Sequence, residues 1–286
     1  MKKAWRLLTE TIAEWNKDKA SQMAAALAYY TVFSLAPLLI IAIAVAGFFF
    51  GEEAARGEIV GQIKGLVGTD GATVIQTALE NSHRPGSNTD LIASLISIVV
   101  LIFGASGVFV QLQEALNEIW DVDPNAQKGV GNVVRKRAMS FAVVLSIGFL
   151  LLVSLVISAA LSAINTFASE LLPGFGFIWE WVNVLLSFAV TTLLFALIYK
   201  YLPDIEITWH DVWIGAILTS ILFSIGRYLI GLYLGNSSFG STYGAAGSLV
   251  ILLAWIYYSV QILFFGAEFT QVYARRYGSQ VKPLAE

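Results

Sequence analysis

The sequence predicts an all-α polytopic membrane protein with six transmembrane helices, both termini cytoplasmic, and an amphipathic helical hairpin in the first outer loop. Three observations carry this. Across 286 residues, 57% are apolar and 13% charged, with a mean hydropathy of +0.72; soluble domains sit near ~25% charged. Six stretches of about 20 mostly apolar residues are present, the length that crosses a hydrocarbon core of about 30 Å. The Lys and Arg residues fall almost wholly on one side of those stretches. The chain reads as a single integral membrane domain over 1–286, and the absence of Cys excludes disulfides and thiolate chemistry.

Residues 1–22 open the chain. Trp5, Leu8, Ile12 and Trp15 repeat at helical spacing, one apolar face among charges, which suits a helix lying in the interface; a short helix packed on the bundle is the plainer alternative. Glu10, Glu14, Lys17, Asp18 and Lys19 interrupt any apolar core of a cleaved signal. The spans are expected at 27–50, 91–110, 141–162, 182–202, 212–234 and 246–267. In the outer loop 51–90, Ile59, Ile63, Leu66 and Val67 keep a helical period, and Ile75, Ala78 and Leu79 resume it after Gly68-Thr69-Asp70-Gly71. A helical hairpin capping the outer face follows. The second span's pattern continues through 111–123, so that helix is expected to project into the cytoplasm and stop near Asp123-Pro124. Trp179 and Trp181 fit an interfacial belt before the fourth span.

Orientation follows from the basic residues. With the N-terminus inside, the inner segments hold thirteen Lys and Arg, while the outer loops hold Arg56, Lys64 and Arg84. Arg227 completes the seventeen from within a span. The positive-inside rule therefore predicts that both termini are cytoplasmic.

No catalytic motif appears. His83 and His210 fall on opposite predicted sides of the membrane, and no phosphate loop, zinc motif or nucleophile elbow is present. Arg135-Lys136-Arg137 directly precedes a span and reads as a topology anchor, so no nucleic-acid partner is expected, nor any cofactor or metal.

The polar residues inside the membrane carry what functional signal there is. Ala216, Ser220, Ser224, Arg227 and Gly231 line one stripe of the fifth span. An Arg near mid-membrane costs about 2.5–3.5 kcal/mol on insertion scales and usually faces an interior or a cavity. It binds an anionic group, or, in a close-packed seam of small residues, it snorkels outward or stacks on Trp255 or Tyr257. The segment 235–248 follows, with Asn236, Gly240, Ser241, Tyr243 and Gly244 in a Gly/Ser run whose backbone N–H groups suit an anion; a tight outer turn is the bland alternative. Tyr30, Ser34 and Pro37 share a face of the first span, where Pro37 removes a backbone hydrogen bond, as in the broken helices of transporters. Pro kinks used for packing are as common. Glu268 lies too far from Arg227 to pair with it and is expected to meet Lys, Arg or water at the cytoplasmic surface.

The segments Ala24-Ala25-Ala26-Leu27-Ala28-Tyr29-Tyr30-Thr31-Val32-Phe33-Ser34-Leu35-Ala36-Pro37, Tyr199-Lys200-Tyr201-Leu202-Pro203-Asp204, Tyr243-Gly244-Ala245-Ala246-Gly247-Ser248 and Gly266-Ala267-Glu268-Phe269-Thr270 resemble the YihY/BrkB family of bacterial inner-membrane proteins. The resemblance runs over roughly residues 5–275. It implies six membrane helices with cytoplasmic ends. Members have borne the label ribonuclease BN, for which this sequence offers no chemistry, and the names of virulence or serum-resistance factors; an association with envelope lipid movement is the most mechanistic implication. No residue roles come with it.

The expectation is a non-enzymatic transporter or lipid-translocation factor for an anionic, phosphate-bearing lipid or metabolite. Arg227, Ser224, Ser220, Tyr30, Ser34, Asn236, Ser241 and Tyr243 would bind it, with Pro37, Gly231, Gly240 and Gly244 in structural or gating roles. Its partners would be membrane lipids and, in the rival reading, an envelope protein docked on a membrane scaffold through the outer hairpin or the 111–123 helix. A homo-oligomer is compatible with either.

Overall fold

The computed structural model describes residues 2–51, 107–122, 176–235 and 245–279, with a few further positions between 53 and 61. All regular structure among the described residues is helical: α1 (Lys2–Lys17), α2 (Ala20–Phe50), α3 (107–119), α4 (Gly176–Tyr201), α5 (Trp209–Gly235) and α6 (Ala245–Arg276). Among them, Val184–Tyr201, Trp209–Leu229 and Leu249–Arg276 are long and apolar enough to cross a membrane. α2 runs 31 residues without a formal charge and stays helical through Pro37. The expected span 141–162, most of 91–110 and most of the hairpin 51–90 lie outside the described residues.

α6 is the hub, with α1, α2 and α5 packed along it and α4 packed on α5. Small residues make the α5–α6 seam. A Cβ on Gly266 would stand 1.8 Å from Thr219 Oγ1, one on Gly215 1.7 Å from Thr270 Oγ1, and one on Gly226 2.5 Å from the Tyr258 ring. Helices in lipid gain little by burying apolar surface from each other, so association rests on such close approach and on interhelical hydrogen bonds. Tyr199 of α4 supplies one, donating to the Leu263 carbonyl at 2.8 Å while its hydroxyl lies 2.9 Å from that of Thr219.

The sequence explains how the helices end. Pro203 has no N–H to continue α4. Thr208 and Asp211 stand at the N-cap and third positions of α5, their side chains bonded at 2.9 Å. Buried Asp211 also accepts from the Ser279 N–H and hydroxyl, pinning the end of α6 to the start of α5.

At this end of the molecule the described part of the 111–123 segment lies packed against the bundle. The helix stops at 119 in a left-handed turn at Asp121 (φ 50°), with Val122 N–H bonded to Asn117 O and Asp121 N–H to Glu118 O. Its Ala115, Leu116, Ile119 and Trp120 are buried in the main core with Ala20, Ala24, Leu202 and Ile207, because its apolar face finds the start of α2 and the 202–207 loop. α6 continues as a helix beyond 267, the expected edge of the last span, to Arg276.

α1 is joined to α2 by Asp18-Lys19, with Lys19 at φ 53°. It packs on α6 and α2 through Thr11 and Trp15, while Trp5, Leu8 and Ile12 stay exposed. Trp15 thus leaves the common apolar face, and both the bundle contact and the unpartnered face are present at once.

Candidate functional site

The stripe expected on α5 divides. Ala216 and Ser220 are buried, whereas Ser224 and Arg227 are exposed. Ser224 donates to the Ser220 carbonyl at 2.8 Å, and the buried Ser220 hydroxyl has no partner among the described residues. The reason is geometric. Gly215, Thr219 and Gly226 turn toward α6, and Arg227 follows Gly226 by 100°, which carries it off that seam. Among the described residues Arg227 has no hydrogen bond, ion pair or ring contact. Trp255 is buried and set edge-on against Phe223, 6.3 Å between centroids.

Ser34 is buried and Tyr30 half-exposed on α2. Both border Gly107 of α3, where an added Cβ would stand 3.7 Å from Ser34 Oγ and 3.9 Å from the Tyr30 ring. α2 and α5 each pack along α6, and no hydrogen bond or ion pair among the described residues joins Tyr30 or Ser34 to Ser220, Ser224 or Arg227. Gly231 lies in the last turns of α5. Asn236, Gly240, Ser241, Tyr243 and Gly244 lie outside the described residues.

The densest polar arrangement is elsewhere, where α1, α3, the 202–207 loop and the end of α6 converge. Phe264, Ala267, Glu268, Gln271 and Val272 form one buried face of α6, each at most 1% exposed. Neither carboxylate oxygen of Glu268 has a hydrogen-bond partner among the described residues. Gln271 donates to Asp121 at 3.1 Å. Around the rim, Arg275 pairs with Asp121 and Glu14, Arg276 with Glu10, and Lys17 with Glu14 at 2.8 Å. Burial raises the Asp18 carboxyl above the usual range, only partly opposed by Lys17, and the bond that Lys17 donates to Glu14 raises Lys17. Glu268 therefore lies off the surface and meets no Lys or Arg among the described residues. The α6 periodicity that runs on through 271 and 272 was the available signal; its polar members hid it.

Motif segments converge here. Ala24, Leu27 and Ala28 of the first are buried beside this junction, Tyr199 of the second meets Gly266 of the last, and Asp204 is held by α3. A family model described as "Virulence factor BrkB" matches residues 11–286. The chain belongs to the BrkB family. Among BrkB relatives, it is similar to UPF0761 membrane proteins from Psychrobacter sp. (26% identity, 95% of this chain and 49% of the relative), Verminephrobacter eiseniae (27%, 93% and 62%) and Alteromonas mediterranea (26%, 91% and 84%). It spans about half the length of the Psychrobacter protein. No solved structure matches this BrkB chain. Those names describe membrane proteins and assign them no chemistry.

Proposed function

We propose that this protein is a non-enzymatic inner-membrane transporter or lipid-translocation factor for an anionic, phosphate-bearing group, with six spans and both termini cytoplasmic. Arg227 carries the reading: a guanidinium on an apolar helix, exposed, and without a partner among the described residues. Taking Leu229 as the end of the apolar stretch, it sits about 3 Å inside that boundary, and about 12 Å from the helix end. A guanidinium this close to the end of the apolar stretch reaches the headgroup layer, where a phosphate would pair with it, and its exposure on the helix surface favours a lipid headgroup over a small solute. Ser224 and Tyr228 are exposed beside it.

The scaffold alternative draws support from the unpartnered Trp5, Leu8 and Ile12 face of α1. The 111–123 helix favours it less, since its apolar residues are spent on the protein's own core. Reconstitution into phospholipid vesicles with a headgroup-labelled lipid decides between them. The wild type should move the label across the bilayer, and Arg227→Ala should insert normally and lose at least tenfold in rate. Equal rates in the two proteins remove Arg227 from the function; no movement by either favours the scaffold.

A further inference from the structure

Glu268 is fully buried, and both its oxygens lack partners among the described residues. An ionised carboxylate in that position would have lost its hydration with no hydrogen bond from the described residues in exchange. Two neighbouring acceptors share the predicament: Asp18 Oδ2 and Gln271 Oε1 are also buried and unpartnered.

The surrounding charges deepen the problem. The charged groups around Glu268 are mostly acidic: Asp18, Glu14 and Asp121, from the α1–α2 turn, α1 and the end of α3, with Lys17 among them. α2, also packed on α6, carries no formal charge, and α5 carries Asp211, bonded to Ser279, and the exposed Arg227. Lys17 donates to Glu14 and Arg275 to Asp121, and neither is bonded to Glu268. Among the described residues no three acidic or histidine side chains converge as metal ligands would. A proton is the cation that one isolated carboxyl accommodates.

Access is graded. Side-chain exposure falls from 41% at Asp121 to 20% at Glu14, 8% at Asp18 and zero at Glu268. Asp18 is thus the most buried of the acidic groups around Glu268, after Glu14 and Asp121.

We propose that Glu268 is a proton-binding site, loaded from the α1 end of the bundle by way of Asp18, and that its proton is coupled to the movement of the anion. The coupling half rests on the function proposed above; the site itself does not.

Infrared spectroscopy of the purified protein in lipid nanodiscs, without substrate, tests the site. At neutral pH the wild type should show a protonated-carboxyl stretch that E268Q lacks and that E268D shifts in frequency. A wild-type spectrum without that band overturns the proposal, as does a band left unchanged in either variant. E268D keeps a carboxyl in place and so answers the question if E268Q does not fold. For the coupling, lipid-label movement in vesicles should change severalfold with the direction of an imposed pH gradient in the wild type and become indifferent to it in E268D or E268Q. Wild-type movement that ignores the gradient overturns coupling while leaving the infrared result intact. A failed Arg227 experiment likewise leaves the Glu268 band to stand or fall alone.

Discussion

Asn117 holds Asp204 from two directions: its amide nitrogen donates to the carboxylate at 2.8 Å, and its amide oxygen accepts the Asp204 backbone N–H at 2.8 Å. Gln113, one turn earlier on α3, donates to the other carboxylate oxygen at 3.2 Å. Eighty-seven residues apart in sequence, the pair ties α3 to the loop between α4 and α5. Asn117→Ala removes a donor to a charged acceptor and an acceptor from a main-chain N–H, a loss of about 1.5–3 kcal/mol. The thermal midpoint in detergent should fall, and fall further in Asn117→Asp, which sets like charges together.

Gly266 is the tightest point among the motif segments. Alanine improves helix propensity by about 1 kcal/mol, but its Cβ would stand 1.8 Å from Thr219 Oγ1 and 2.5 Å from Tyr199 Oη. Thr219 cannot yield freely, because its hydroxyl is bonded to the Gly215 carbonyl at 2.7 Å. Overpacking of about 1–3 kcal/mol should win, so Gly266→Ala should unfold at lower temperature. Gly57→Ala, with nothing within 4 Å, should show no loss in the same melt.

Docking of α1 should weaken as pH rises. The Asp18 carboxyl is raised by burial, so its contribution is full below the ordinary Asp value of 3.8 and is lost as pH climbs through the raised value. Lys17, raised from 10.5 by its bond to Glu14, contributes in full below that value and is lost at still higher pH. Hydrogen exchange of the α1 amides should accelerate with pH beyond the chemical rate, and Asp18→Asn should remove the acidic-range portion. An Asp18→Asn profile superimposable on the wild type would count against this origin.

The absence of cysteine makes topology directly readable. Lys3→Cys and Gly57→Cys both place a thiol at an exposed position. In intact cells a membrane-impermeant maleimide should label Gly57→Cys and spare Lys3→Cys until the membrane is opened. The reverse pattern would invert the orientation.

Helix identity was legible because it is a local matter. Long apolar runs announce α2, α4, α5 and α6, and Pro203 and Thr208 mark where α4 stops and α5 begins. Side-chain partners were not legible, since they depend on which helices become neighbours. The Ser220–Ser224–Arg227 stripe is a true helical row, yet a row is one surface only if a single neighbour faces it; α6 takes the Gly215–Thr219–Gly226 side and leaves Arg227 outside.

Glu268 shows the same division most sharply. By itself the sequence determined that this chain is a helical membrane protein, rich in apolar runs, with one arginine inside a span. A charged residue just past an apolar run reads as the point where water begins, because hydropathy scores each segment alone. Only the tertiary structure decided otherwise: α1 folds back on the end of α6, α3 packs against the bundle, and together they exclude water from a carboxyl that the sequence leaves at the surface. Burial is a property of the neighbours, and the neighbours come from distant parts of the chain.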